Sequence, residues 1–132
     1  MKIIYQTETG VSILSPTGEL TIAEVAAKDV PAGAPFRIVN DDEVPSDRHF
    51  RNAWYDEGGI KIDMLKAVDI TKSRLRVQRT PLLLEQDVLF QRALEAGTST
   101  AEIVSEKKRL RDVTKLADKP NITIEQLKAI VV

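Results

Sequence analysis

Cysteine is absent from the chain. That removes disulfides, thiolate nucleophiles and Cys-based metal sites, and it fits a reducing cytosol or a particle assembled there. His49 is the single histidine, so neither an HExxH pair nor a two-histidine metal site can form. No Gly-x-Ser-x-Gly elbow and no phosphate-cradling glycine loop occurs. Gly10, Gly18 and Gly33 stand alone in turn-forming stretches, and Gly58-Gly59 is isolated. Charge of either sign is not in excess: 19 Lys+Arg oppose 20 Asp+Glu, a net of -1. Such a balance provides no overall field for capturing nucleic acid or an anionic membrane. Aliphatic runs such as Leu82-Leu83-Leu84 and Ile130-Val131-Val132 are far too short to span a bilayer. The opening MKIIYQTETG carries no apolar stretch of leader length. The expectation is a non-enzymatic protein with no cofactor and no metal, outside the membrane and not bound to nucleic acid.

The first half reads as strands. Lys2–Tyr5 and Val11–Leu14 are β-branched runs separated by Thr7-Glu8-Thr9-Gly10, a hairpin in which Gly10 supplies φ > 0. Thr21-Ile22-Ala23-Glu24 is a capping box that opens a short helix. Ile22, Val25 and Ala26 share its apolar face. Pro31-Ala32-Gly33-Ala34-Pro35 ends it in a rigid turn, and Phe36–Val39 is a third strand. The acidic run Asn40-Asp41-Asp42-Glu43 lacks the central Gly and terminal Glu of an EF-hand loop, and so reads as a solvated turn. Ser46-Asp47 is a candidate cap for one helical turn. Phe50, Trp54 and Tyr55 form the chain's only aromatic cluster, with Trp54 a core anchor and His49 a structural neighbour. Asp56-Glu57-Gly58-Gly59 turns the chain back into a strand at Ile60-Lys61-Ile62.

The second half reads as helices. Asp63 caps a long helix running to Ala96, with Val68, Leu75, Leu82, Leu89 and Ala96 every seven residues. Leu65, Val88 and Ala93 widen this stripe. The intermediate Lys72, Arg79 and Gln86 are polar, whereas a two-stranded coiled coil wants both seams apolar. One apolar face packed inside a hairpin core is therefore expected. Pro81 lacks an N–H and collides with the carbonyl of Val77. The heptad phase continues through it, which favours a kink over a break. Gly97-Thr98 links to a second helix, Ser99–Ala117, through a capping box at Ser99-Thr100-Ala101-Glu102. So short a link makes the two helices antiparallel. Thr123-Ile124-Glu125-Gln126 opens a short terminal helix. Lys72, Arg74, Arg76 and Arg79 make a basic segment. Without interleaved aromatics, and flanked by Asp63, Asp69, Glu85 and Asp87, it reads as a solvated or salt-bridged face.

The fold class that follows is α+β. A small antiparallel sheet with one short helix occupies residues 1–62. A long kinked helix, an antiparallel hairpin and a short C-terminal helix occupy 63–132.

Three stretches carry a family resemblance. They are Pro45-x-Asp47-Arg48-x-Phe50-Arg51-Asn52-Ala53-Trp54; Arg79-x-Pro81-Leu82-Leu83 with Asp87 and Arg92-Ala93-Leu94-Glu95-Ala96-Gly97; and Lys107-Lys108-x-Leu110-Arg111-Asp112-Val113. In this order they resemble small proteins of the tail modules of tailed bacteriophages and prophages, loosely described as tail-fibre assembly or tail assembly proteins. The resemblance covers roughly residues 45 to 130. It implies a protein of the virion or host cytoplasm that acts through protein–protein contacts. The implied partner is a tail fibre, a baseplate or another tail protein; separately, the heptad stripe leaves a homo-oligomer open. The residues expected to meet a partner are Phe50, Trp54 and Tyr55, together with Arg74, Arg76 and Arg79. The alternative is a phage-encoded regulator or host-factor inhibitor that uses the basic helix face 72–79.

Overall fold

A computed structural model describes residues 1–132. The chain is α+β and divides into two compact units, Met1–Ala67 and Val68–Val132. The division falls one turn inside the long helix rather than at the expected 62/63. The helix start is tied to the first unit: Asp63 N–H donates to Ala53 O at 2.8 Å, and Ala67 is fully buried.

In the first unit, β1 (Lys2–Thr7) is the centre of a three-stranded antiparallel sheet between β2 (Gly10–Leu14) and β3 (Phe36–Val39). The register sets Ile4 opposite Ile13 and Arg37, and Ile3 opposite Leu14 and Ile38. Strand side chains alternate between faces, so the sheet has two apolar sides. Ile3 meets Val25, Ala26 and Val30, from α1 (Ile22–Asp29) and the residue that ends it. Ile4, Val11 and Val39 meet Val44 and Trp54, with Ile60 and Ile62 beside them. The capping box at Thr21 forms in full, with Glu24 N–H donating to Thr21 Oγ1 and Thr21 N–H to Glu24 Oε2. Gly10 has φ +136°, and a Cβ there would sit 3.0 Å from Arg51 O. Glycine is thus required both by its conformation and by the close approach of backbone.

Trp54–Asp56 (β4) and Ile60–Ile62 (β5) form a separate two-stranded sheet. Its tip is clamped to β3 by a bidentate pair, Arg37 Nε to Asp56 Oδ2 at 2.8 Å and Arg37 Nη2 to Asp56 Oδ1 at 2.7 Å. Gln6 adds a third tie by accepting the Asp56 N–H at 3.0 Å. The expected turn at Ser46-Asp47 takes another form. Asp47 Oδ1 accepts the His49 N–H at 3.0 Å, and the helical turns lie at Asp41–Glu43 and Arg51–Ala53 as 3-10 structure. The acidic run is therefore a capped turn, with Glu43 Oε2 accepting the Asn40 N–H.

The second unit is built on α2 (Met64–Ala96), a helix that continues through Pro81 without a break. Asp63 Oδ1 caps it, accepting the N–H groups of Leu65 and Lys66. At its other end Gly97 adopts φ +66°, and Thr98 N–H and Gly97 N–H donate to Ala93 O and Leu94 O. These are the two bonds of a Schellman cap. The second helix, α3, is shorter than expected, at Ala101–Asp112, and continues as a 3-10 helix over Val113–Asp118. Its capping box does not form: Thr100 is the N-cap, without a side-chain bond, and Ser99 Oγ accepts only from Ala101 N–H. The box at Thr123 does form and opens α4 (Ile124–Ala129). Thr71, Leu75, Ala93, Leu110, Val113, Ala117 and Leu127 are the buried residues of this unit.

Candidate interaction surface

Contacts along the hairpin confirm its antiparallel sense. Lys107 lies over the Phe90 ring and pairs with Asp87. Arg79 reaches the carbonyls of Leu110 and Arg111, and Lys72 pairs with Asp118. Positions descend along α2 as they ascend along α3 and the 3-10 helix.

Those contacts also account for the basic segment. Arg79 Nη1 donates to Arg111 O at 2.7 Å and to Leu110 O at 3.4 Å. Arg74 Nη2 donates to Leu127 O at 3.2 Å, and its Nε is buried without a partner. Leu110, Arg111 and Leu127 lie in the last turns of α3 and α4, where the dipole favours a cation; Leu127 O also accepts the Ile130 N–H at 3.4 Å. Each arginine therefore acts as a C-terminal cap supplied by another helix. Lys72 Nζ is held by Asp118 at 2.6 Å. Arg76 alone of the four is exposed. Lys72 and Arg79 thus face the other arm of the hairpin, and Arg76 faces solvent.

The aromatic cluster is likewise internal. Phe50 and Trp54 are 2% and 1% exposed, so neither ring reaches the surface, and only Tyr55 is half-exposed. Trp54 is the anchor of its apolar cluster, as its type suggests, although its Nε1 is buried without a partner. His49 is exposed and stacks edge-on against Phe50.

A different surface appears on α2. The heptad stripe read from the sequence divides: Leu75 is fully buried, Val68 and Leu82 are half-buried, and Leu89 and Ala96 are exposed. Of the three residues expected to widen it, only Ala93 is buried; Leu65 and Val88 are exposed. Val77 and Leu84 follow Leu75 and Leu82 by two residues, roughly 200° around the helix at about 100° per residue. They are 74% and 61% exposed, and Val88, at 51%, continues their line. The helix is therefore apolar on two opposite faces, not one. Pro81 lies within the outer line and is itself exposed. Beside it, Glu85, Val88, Leu89 and Arg92 line a shallow open cleft of about 340 Å³.

Two smaller clefts lie elsewhere on the surface. The cleft beside Arg37 and Asp56 is lined by a bidentate pair already satisfied. A recess at Leu116 and Val131 lies over the end of the 3-10 helix. Neither brings unpaired polar groups together. No group of three or more His, Cys, Asp or Glu residues is placed to hold a metal ion, and no helix is long and apolar enough to cross a membrane. No protein-family model, curated protein or solved structure matches the chain.

Proposed function

We propose that this protein is a non-enzymatic, tail-associated protein of a bacteriophage or prophage, a structural component or assembly factor that works by protein–protein contact. The outer face of α2 is its contact surface. The observation that carries this reading is the exposed line of Val77, Pro81, Leu84 and Val88, on the side of α2 opposite its packed face. Contiguous exposed apolar residues on a folded surface mark sites of association, and four of them at helical spacing suit a helix or an apolar groove. The setting rests on the resemblance over residues 45 to 130. The basic segment supports the alternative regulator reading less well, because three of its four cations are engaged inside the unit.

The test is co-expression with the tail-fibre protein of the phage or prophage that encodes this chain. A stable complex is expected, lost when Val77 and Leu84 are both changed to Lys. A fibre that folds and migrates identically without this chain would remove the assembly reading.

A further inference from the structure

The geometry points to a second copy of this chain as an occupant of the patch formed by Leu84, Glu85, Val88, Leu89 and Arg92, paired antiparallel about a two-fold axis. This rests on the contact reading above only in taking the outer face of α2 as the surface that associates. Glu85 and Arg92 lie seven residues apart on α2, two turns and about 10 Å along the axis at 1.5 Å per residue. Both are exposed, and neither makes an ion pair or a hydrogen bond within the chain. By contrast Asp87, on the neighbouring flank, is held by Lys107. Val88 and Leu89 lie between the two free charges and form the floor of the cleft.

A patch that reads negative, apolar, positive along one axis is its own complement when reversed. A two-fold axis passing between Val88 and Leu89 sets Glu85 of one copy against Arg92 of the other, twice, and packs the apolar floor on itself. The parallel arrangement in register sets Glu85 on Glu85 and Arg92 on Arg92, which repel. An isologous contact of this kind closes at two copies. One helix face covers less than the roughly 800 Å² per partner of a standard interface, so the dimer is reversible and concentration-dependent.

Sedimentation velocity over a concentration series tests this on the wild type, E85R, R92E and the double variant E85R/R92E. Wild-type mass is expected to rise from monomer toward dimer. Each single reversal turns two attractions into two repulsions and should weaken dimerisation by about tenfold or more, while the swapped double variant restores it to within about threefold. Circular dichroism should be the same for all four, since both side chains are exposed. A wild type that stays monomeric to about 1 mM, single variants that dimerise like wild type, or a double variant without rescue would each overturn the proposal. The absence of cysteine provides a second readout. Val88→Cys, beside the axis, should form a disulfide-linked dimer on oxidation, whereas Val77→Cys, eleven residues away on the same helix, should not. Equal cross-linking of both would also overturn it. A monomeric chain that still binds its tail partner overturns the dimer and keeps the contact reading; a dimer that binds no tail protein does the reverse.

Discussion

Arg79 Nη1 donates to the carbonyl oxygen of Arg111 at 2.7 Å, so a residue of the long helix terminates the helix packed against it. This single bond explains why a basic run that looks like an external binding face is part of the hairpin. Arg79→Ala leaves the last carbonyls of α3 without that donor and should cost about 1–2 kcal/mol. Arg76→Ala should stay within about 0.5 kcal/mol of wild type, as exposed substitutions do. Urea denaturation of the two variants checks the contrast. Equal effects would mean that Arg79 is not a cap.

Trp54→Ala should destabilise by about 3–5 kcal/mol, because it empties the centre of the Ile4, Val11, Val39 and Val44 cluster. Trp54→Phe should cost much less, under about 1.5 kcal/mol, since the buried Nε1 gives up no hydrogen bond. As Trp54 is the only tryptophan, fluorescence follows the wild-type transition, and circular dichroism follows both variants.

The Asp56 carboxyl is held below the usual carboxylate range. Hydrogen bonds from Arg37 are the largest cause, burial opposes them, and the charge of Arg37 and a backbone bond from Gly59 add to the depression. A depressed folded-state pKa means that the unfolded chain binds the proton first as pH falls. The pair's contribution is therefore full above the unfolded value of about 4 and is lost as pH drops through the lower folded value. The stability gap between wild type and Asp56→Asn should be constant near neutrality and shrink below about pH 4. Glu106, lowered by Arg109, has the same sign but is common to both proteins and cancels in the difference. A gap that widens on acidification would contradict the assignment.

Pro81 cannot donate to Val77 O, and an interior proline costs a helix about 3 kcal/mol relative to alanine. Pro81 is exposed within α2, so no buried packing opposes its replacement. Pro81→Ala should raise stability by about 1–3 kcal/mol. A loss of stability would show that the ring makes contacts worth more than the missing bond. Thermal denaturation decides the sign.

The first unit was legible because its signals are local. The strand at Phe36–Val39, the Thr21 box and the φ > 0 of Gly10 each depend on a few adjacent residues. The failure at Ser99 has the same origin: its box competes with a Schellman cap two residues earlier, which fixes Gly97 and Thr98 and shifts the start of α3 to Ala101. The long helix was harder. With apolar residues on both sides, Val77 and Leu84 repeat at the same seven-residue spacing as Leu75 and Leu82. Periodicity alone cannot say which line is covered; that depends on the hairpin partner. Nor does a run of arginines announce that its acceptors are main-chain carbonyls 31, 32 and 53 residues away.

The central claim is that the outer face of α2, rather than the basic segment, meets the partner. It is tested most directly by measuring the affinity of the proposed tail-fibre partner for two surface variants, Leu84→Lys and Arg76→Glu. Both side chains are exposed, so both variants should fold as wild type does. Leu84→Lys should weaken the complex by about tenfold or more, while Arg76→Glu should leave it within about twofold. Loss of binding in Arg76→Glu with an unaffected Leu84→Lys would contradict it.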